Sequence, residues 1–111
     1  MPGPPRLTAE QRAAARGEAL LARQARAAVK ARLKSGQLSL SGFLLLAEQD
    51  PRLAALRVPE LLAALPGIGD AGASRLLAEL RIAGSRRVQG LGPKQRAALL
   101  ARLDHPAQSS P

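Results

Sequence analysis

The chain has 111 residues, with 17 Lys+Arg against 8 Asp+Glu for a formal charge of +9, and it contains no Cys, Trp or Tyr and single Phe, Met and His residues. The lack of cysteine excludes a disulfide framework, a thiolate nucleophile and a Cys-based metal site, while 23 Ala and 21 Leu against six Val, Ile and Thr in total exclude a substantial sheet. So positive a charge on one small domain costs stability through self-repulsion, and its natural counterpart is a polyanion, either a nucleic acid or an anionic membrane surface.

In chain order, residues 1–7 hold three prolines and a glycine and are expected to form a disordered tail. Thr8, followed three residues later by Gln11, makes a capping box that opens a long helix over Ala9 to Lys34, within a basic segment spanning residues 8–35. Gly36 supplies the stop, and Ser39 or Ser41 caps a second helix through Phe43, Leu44, Leu45 and Ala47 to Asp50, where Pro51 ends it. A helical turn is expected over Arg52 to Leu56. Pro59 then starts a helix running to Pro66.

Gly67 to Gly69 reads as a tight turn. From Asp70 onward, Ala73, Leu76, Leu77 and Leu80 recur at helical spacing, with an end expected near Ile82 and Gly84. The stretch from Gly84 to Gly92 reads as an irregular link. Pro93 opens a last helix with Leu99, Leu100 and Leu103 on one stripe, and residues 104–111 are expected to be a second disordered tail. The predicted fold is all-α: a long N-terminal helix packed on a small helical domain over residues 36–103.

Charge and apolar density are distributed oppositely. Residues 1–35 carry +6, residues 36–80 carry −2 and residues 81–111 carry +5, whereas Leu38 to Leu80 contains the only Phe and thirteen of the leucines. The middle is the expected core and the ends are basic. At 100° per residue, Arg12, Arg16, Arg23, Arg26, Lys30 and Lys34 fall within about 40° of one line, and Leu21, Ala25, Val29 and Leu33 lie between about 180° and 300° from it. Six like charges at i, i+3 and i+4 repel one another, so the stripe is unfavourable unless a polyanion lies along it. An amphipathic membrane helix would need bulky apolar residues opposite the cations, where alanine dominates. The longest uncharged apolar stretch, Leu38 to Ala47, is also far below the roughly 20 residues of a membrane span.

The segment Leu65-Pro66-Gly67-Ile68-Gly69 followed by a helix start is a phosphate seat in form. Gly67 and Gly69 let the backbone approach closely, and helix N–H groups point outward. Downstream, Arg86, Arg87, Gly90, Gly92, Lys94, Gln95 and Arg96 concentrate cations and N–H groups in eleven residues. The hairpin resembles the helix-hairpin-helix DNA-binding motif. The stretch from about residue 8 to 103, including Val58-Pro59-Glu60-Leu61-Leu62, the hairpin, and Arg86-Arg87-Val88-Gln89-Gly90-Leu91-Gly92-Pro93-Lys94-Gln95-Arg96, resembles the actinobacterial integration host factor family.

That resemblance implies an all-α domain with a helix-two-turns-helix module, over about 58–103, akin to that of a small-subunit ribosomal protein. It also implies a cytoplasmic, nucleoid-associated protein that binds and bends double-stranded DNA with little sequence preference, with a phage integrase–DNA complex as a further partner. It places Arg86, Arg87, Gly90, Gly92, Lys94, Gln95 and Arg96 at DNA. Where the family pattern leads one to expect a lysine after the hairpin glycines, this chain has Asp70, whose carboxylate repels phosphate; Ser74 or Arg75 is the substitute.

An enzymatic role lacks a reacting group. His105 stands alone, the eight acids are scattered, no GxxxxGK[ST] loop exists, and no cofactor or metal is called for. Single-stranded nucleic acid and RNA modules usually stack bases on aromatic rings, and the sole Phe43 belongs to the most apolar helix, so duplex DNA is the expected partner. An RNA-binding or ribosome-associated module is the alternative, and a monomer is the expected state.

Overall fold

The computed structural model describes residues 7–103, so the tails expected at 1–7 and 104–111 lie outside the described residues except for Leu7. Thr8 opens helix α1 (Ala9–Lys34) as the spacing predicts: its hydroxyl accepts from Gln11 N–H at 3.0 Å and its own N–H donates to Gln11 Oε1 at 2.8 Å. Gly36 follows the helix at φ 82°, the left-handed conformation that a terminating glycine adopts without strain.

Ser39 caps helix α2 (Leu40–Gln49) by accepting from Gly42 N–H at 3.0 Å. Asp50 closes α2 and starts the short α3 (Pro51–Ala54), accepting from Arg52 N–H at 2.9 Å. Helix α4 (Val58–Ala64) carries Pro59 in its first turn and packs most extensively on α5 (Gly69–Leu80), the two forming the hairpin around Gly67 and Gly69. Helix α6 (Pro93–Leu103) completes the six α-helices of the described residues.

Helix α5 ends at Leu80, close to the expected Ile82 and not at Gly84, with Arg81 as its cap in the left-handed region at φ 56°, ψ 46°. A non-glycine residue there costs about 1 kcal/mol. The turn is held because Ile82, 4% exposed, is pulled into the core while its N–H donates to Leu77 O at 2.9 Å. The 84–92 link is not irregular. Val88–Gly90 forms a 3-10 turn, and the link is tied to the segment before α4 by Val58 N–H to Arg86 O at 2.8 Å and Val88 N–H to Leu56 O at 2.9 Å. The tie joins residues about 30 apart.

The core collects Leu33 from α1, Leu40, Phe43 and Leu44 from α2, Leu53 and Leu56, Val58, Leu61 and Leu62 from α4, and Leu99 from α6. Phe43 is fully buried among them, a packing role. Helix α1 joins this core only through its C-terminal half. Val29 and Leu33 are buried, whereas Leu20 and Leu21 are about half exposed and every residue from Leu7 to Leu21 is exposed. The expected apolar face beginning at Leu21 therefore begins instead near Ala22, and the first half of the helix is a projecting arm, with which the described residues extend over 66 × 28 × 25 Å.

Candidate nucleic-acid interface

On the α1 wheel the residues turned to the core, from Ala22 through Ala25, Val29 and Leu33, centre near about 280° from Arg12. The cation stripe lies about 80° away, so it flanks the core face rather than standing opposite it. Arg26 and Lys30 are accordingly half-buried, and the side chains of this half overhang a groove. Arg12 and Arg16, on the projecting arm, are exposed, and Arg12 Nη1 donates to Leu7 O at 2.8 Å.

The groove has a volume of about 410 Å³ and is lined by Arg23, Arg26 and Lys30 on one side and by Arg57 and Arg87 on the other, with Ala27, Ala55 and Leu56 as apolar lining. The two basic regions that look separate in sequence thus share one concave surface. One carboxylate intrudes. Glu60 Oε1 lies 3.6 Å from Lys30 Nζ, a half-exposed pair that contributes little to stability but keeps Lys30 over the groove.

Arg57 and Arg87 are an antiparallel bridge pair. The flanking bonds, Val58 N–H to Arg86 O and Val88 N–H to Leu56 O, make it the non-hydrogen-bonded type, in which opposed side chains stand closest. Arg87 Nη1 donates to Ala55 O at 2.6 Å, holding its guanidinium beside the groove. Sequence reasoning singled out Arg87 but missed Arg57. No local signal could have found it, because Arg57 enters the site only through a pairing 30 residues away.

Arg86 borders a second hollow of about 360 Å³ with Ala83, Ser85, Gln89 and Gly90, and Arg87 lines this hollow as well as the groove. Arg86 Nη1 donates to Gly90 O at 3.0 Å, and a Cβ on Gly90 would lie 3.2 Å from Arg86 Cδ, so this glycine leaves room for the folded-back arginine. Gln95 is spent on the helix start: its Oε1 accepts from Gly92 N–H at 3.1 Å. Lys94 is exposed on the first turn of α6. Arg96 reaches across to α2 and pairs with Glu48 at 2.7 Å, beside Val88 and Gln89.

The α4–α5 hairpin sits apart from that link. Gly67 and Gly69 adopt φ 76° and 64°, which glycine alone takes readily, and leave open space where a side chain would stand. Asp70 occupies the first turn of α5 and borders a hollow of about 440 Å³ shared with Lys30, Lys34 and Glu60. Two acids facing two lysines leave this surface near neutral, so the hairpin is electrostatically the poorer seat for phosphate and the groove the better one.

Residues 33–103 match the family model of the S13-like H2TH domain. The chain is 49% identical over 100 residues to the integration host factor of Mycolicibacterium smegmatis, covering 90% of this chain and 95% of that protein. It is 49% identical over 99 residues to the integration host factor of Mycobacterium tuberculosis, covering 89% and 94%. The integration host factor of Streptomyces coelicolor is 43% identical over 95 residues, covering 86% and 89%. Among solved structures, sIHF bound to an 8-bp palindromic DNA is similar at a TM-score of 0.76 and 37% identity, covering 78% of this chain and 98% of that one.

Proposed function

The chain belongs to the actinobacterial integration host factor family, and on that premise we propose how it acts on double-stranded DNA as a nucleoid-associated protein that binds and bends the duplex. The observation that carries the reading is the groove. Cations from α1, from the segment before α4 and from the 86–96 link converge there on one concave surface that no carboxylate neutralises except Glu60.

Contact with the duplex is assigned to two sites along the same link. Arg87, with Arg23, Arg26 and Lys30, meets one stretch of phosphate backbone, while Arg86 and Gly90, beside a hollow that Arg87 also borders, meet the groove edge together with the exposed Lys94. Arg12 and Arg16 extend the first contact along the arm. The residues from Arg12 to Lys34 span about 33 Å, near one turn of duplex, and a duplex touching both arm and link must follow the angle between them. Bending costs a few kcal/mol, which added phosphate contacts offset. Lys34, Gln95, Gly92, Gly67 and Gly69 play supporting parts, because each is engaged in local structure or lies beside carboxylates.

The reading is of binding without catalysis in the nucleoid. Four of the acids serve the fold: Asp50 caps α3, and Glu48, Glu60 and Glu79 each face a cation. No helix of the described residues is long and apolar enough to cross a membrane.

A gel-shift of the full chain on duplexes of unrelated sequence, titrated with salt and challenged with structured RNA, tests the function. The expected slope of log affinity against log salt corresponds to about five or more phosphates, with RNA a poorer competitor than duplex. A slope of one or two, or preference for the RNA, would overturn the clamp.

A further inference from the structure

Arg57 and Arg87 form a directly opposed like-charged pair, an arrangement that destabilises a bridge when nothing lies between the charges. They do so at the rim of a groove to which Arg23, Arg26 and Lys30 add three more cations. The Arg87 guanidinium has one backbone acceptor, Ala55 O; among the described residues no hydrogen bond or ion pair engages the Arg57 side chain. A fold that gathers five cations with a single facing carboxylate is complementary to a multiply charged anion, whose insertion turns each repulsion into an attraction.

The dimensions narrow its chemistry. Arg23 to Lys30 covers about 10 Å of helix, the reach of two or three linked phosphates, and a volume of about 410 Å³ falls in the range of small-molecule sites. Two opposed guanidinium groups suit phosphate oxygens better than a lone carboxylate, because each can donate in bidentate fashion.

We propose that this groove is a seat for a chain of linked phosphates, with Arg57 as a ligand-binding residue in it, and that its occupant is either the backbone of bound DNA or a free polyphosphate that competes with it. The inference stands on the groove itself and not on the function proposed above, since a protein that failed to bind duplex would still hold tripolyphosphate here.

The test titrates the full chain with sodium tripolyphosphate at about 0.15 M salt by calorimetry, comparing wild type, Arg57→Gln and Arg32→Gln. Arg32→Gln removes the same charge, but from a position on α1 about 160° round from the groove-side stripe. Arg57→Gln is expected to weaken binding about tenfold, and Arg32→Gln by less than about twofold. Equal losses in the two variants, or none in either, would mean diffuse attraction to a basic protein and would overturn the seat.

Thermal melting of Arg57→Gln checks that the fold persists; an unchanged or raised Tm is expected from relief of the repulsion. A duplex gel-shift with the same variants then identifies the source. A parallel loss for Arg57→Gln assigns the seat to the DNA backbone, and unchanged duplex affinity assigns it to a free polyphosphate. Failure of the wild-type chain to bind any duplex would refute the proposed function while leaving the tripolyphosphate result to decide the seat.

Discussion

Arg96 of α6 reaches Glu48 of α2 at 2.7 Å, linking two helices through residues 48 apart in the chain. The pair occupies a cation that the family pattern places at DNA. A half-exposed pair of this kind contributes at most about 1 kcal/mol, so a phosphate can compete with Glu48 for Arg96.

Replacing Glu48 by Gln therefore tests whether the carboxylate restrains binding. Global stability should fall by less than about 0.5 kcal/mol, while duplex affinity rises by up to about fivefold and the salt slope steepens by about one ion. Unchanged affinity in a gel-shift would make Arg96 a purely structural residue.

Leu99 is the sole buried residue of α6 and is fully enclosed. Leu99→Ala should cost about 2–4 kcal/mol in urea unfolding and loosen the helix that carries Lys94 and Arg96. A loss below about 1 kcal/mol would mean that Leu100 and Leu103, packed at the core edge, hold α6 without it.

At the end of α5, Arg81→Gly relieves the left-handed strain at φ 56° but loosens the unfolded chain. The first effect should dominate, raising stability by roughly 0.5 kcal/mol. A destabilised variant in thermal melts would show that the Arg81 side chain contributes more than its backbone costs.

Gly17 lies inside α1 on the exposed arm, and nothing stands within 4 Å of where its Cβ would be. Gly17→Ala should increase helicity of the arm by about 0.5–1 kcal/mol of local stability, read by amide exchange of residues 9–21, without moving the global Tm. If the arm carries Arg12 and Arg16 to DNA, the same change should tighten duplex binding modestly, because less ordering is required on contact.

Capping chemistry was legible residue by residue. Thr8 with Gln11, Ser39 with Gly42, Pro59 and Pro93 mark helix starts because each satisfies or dispenses with backbone N–H groups within three residues of itself, whereas Pro51, read as the end of α2, also opens α3. The end of α5 near Ile82 was legible but its left-handed cap at Arg81 was not, since that cap is held by the burial of Ile82 against distant helices. The same limit applied to Leu20 and Leu21: their spacing fits an amphipathic helix, yet the core is too short to reach them.

What the amino-acid order determined alone is therefore local and cumulative: an all-α chain, most of its helix starts, a basic stripe on the first helix and a cationic link that resembles one family's pattern. Only the tertiary structure decided where those cations meet. Two backbone hydrogen bonds between residues 56–58 and 86–88 set the strand parity that brings Arg57 and Arg87 together on the groove beside α1. A shift of one residue in that pairing would exchange its faces, and no local propensity specifies it; the burial of Leu56, Val58 and Val88 on the core side does.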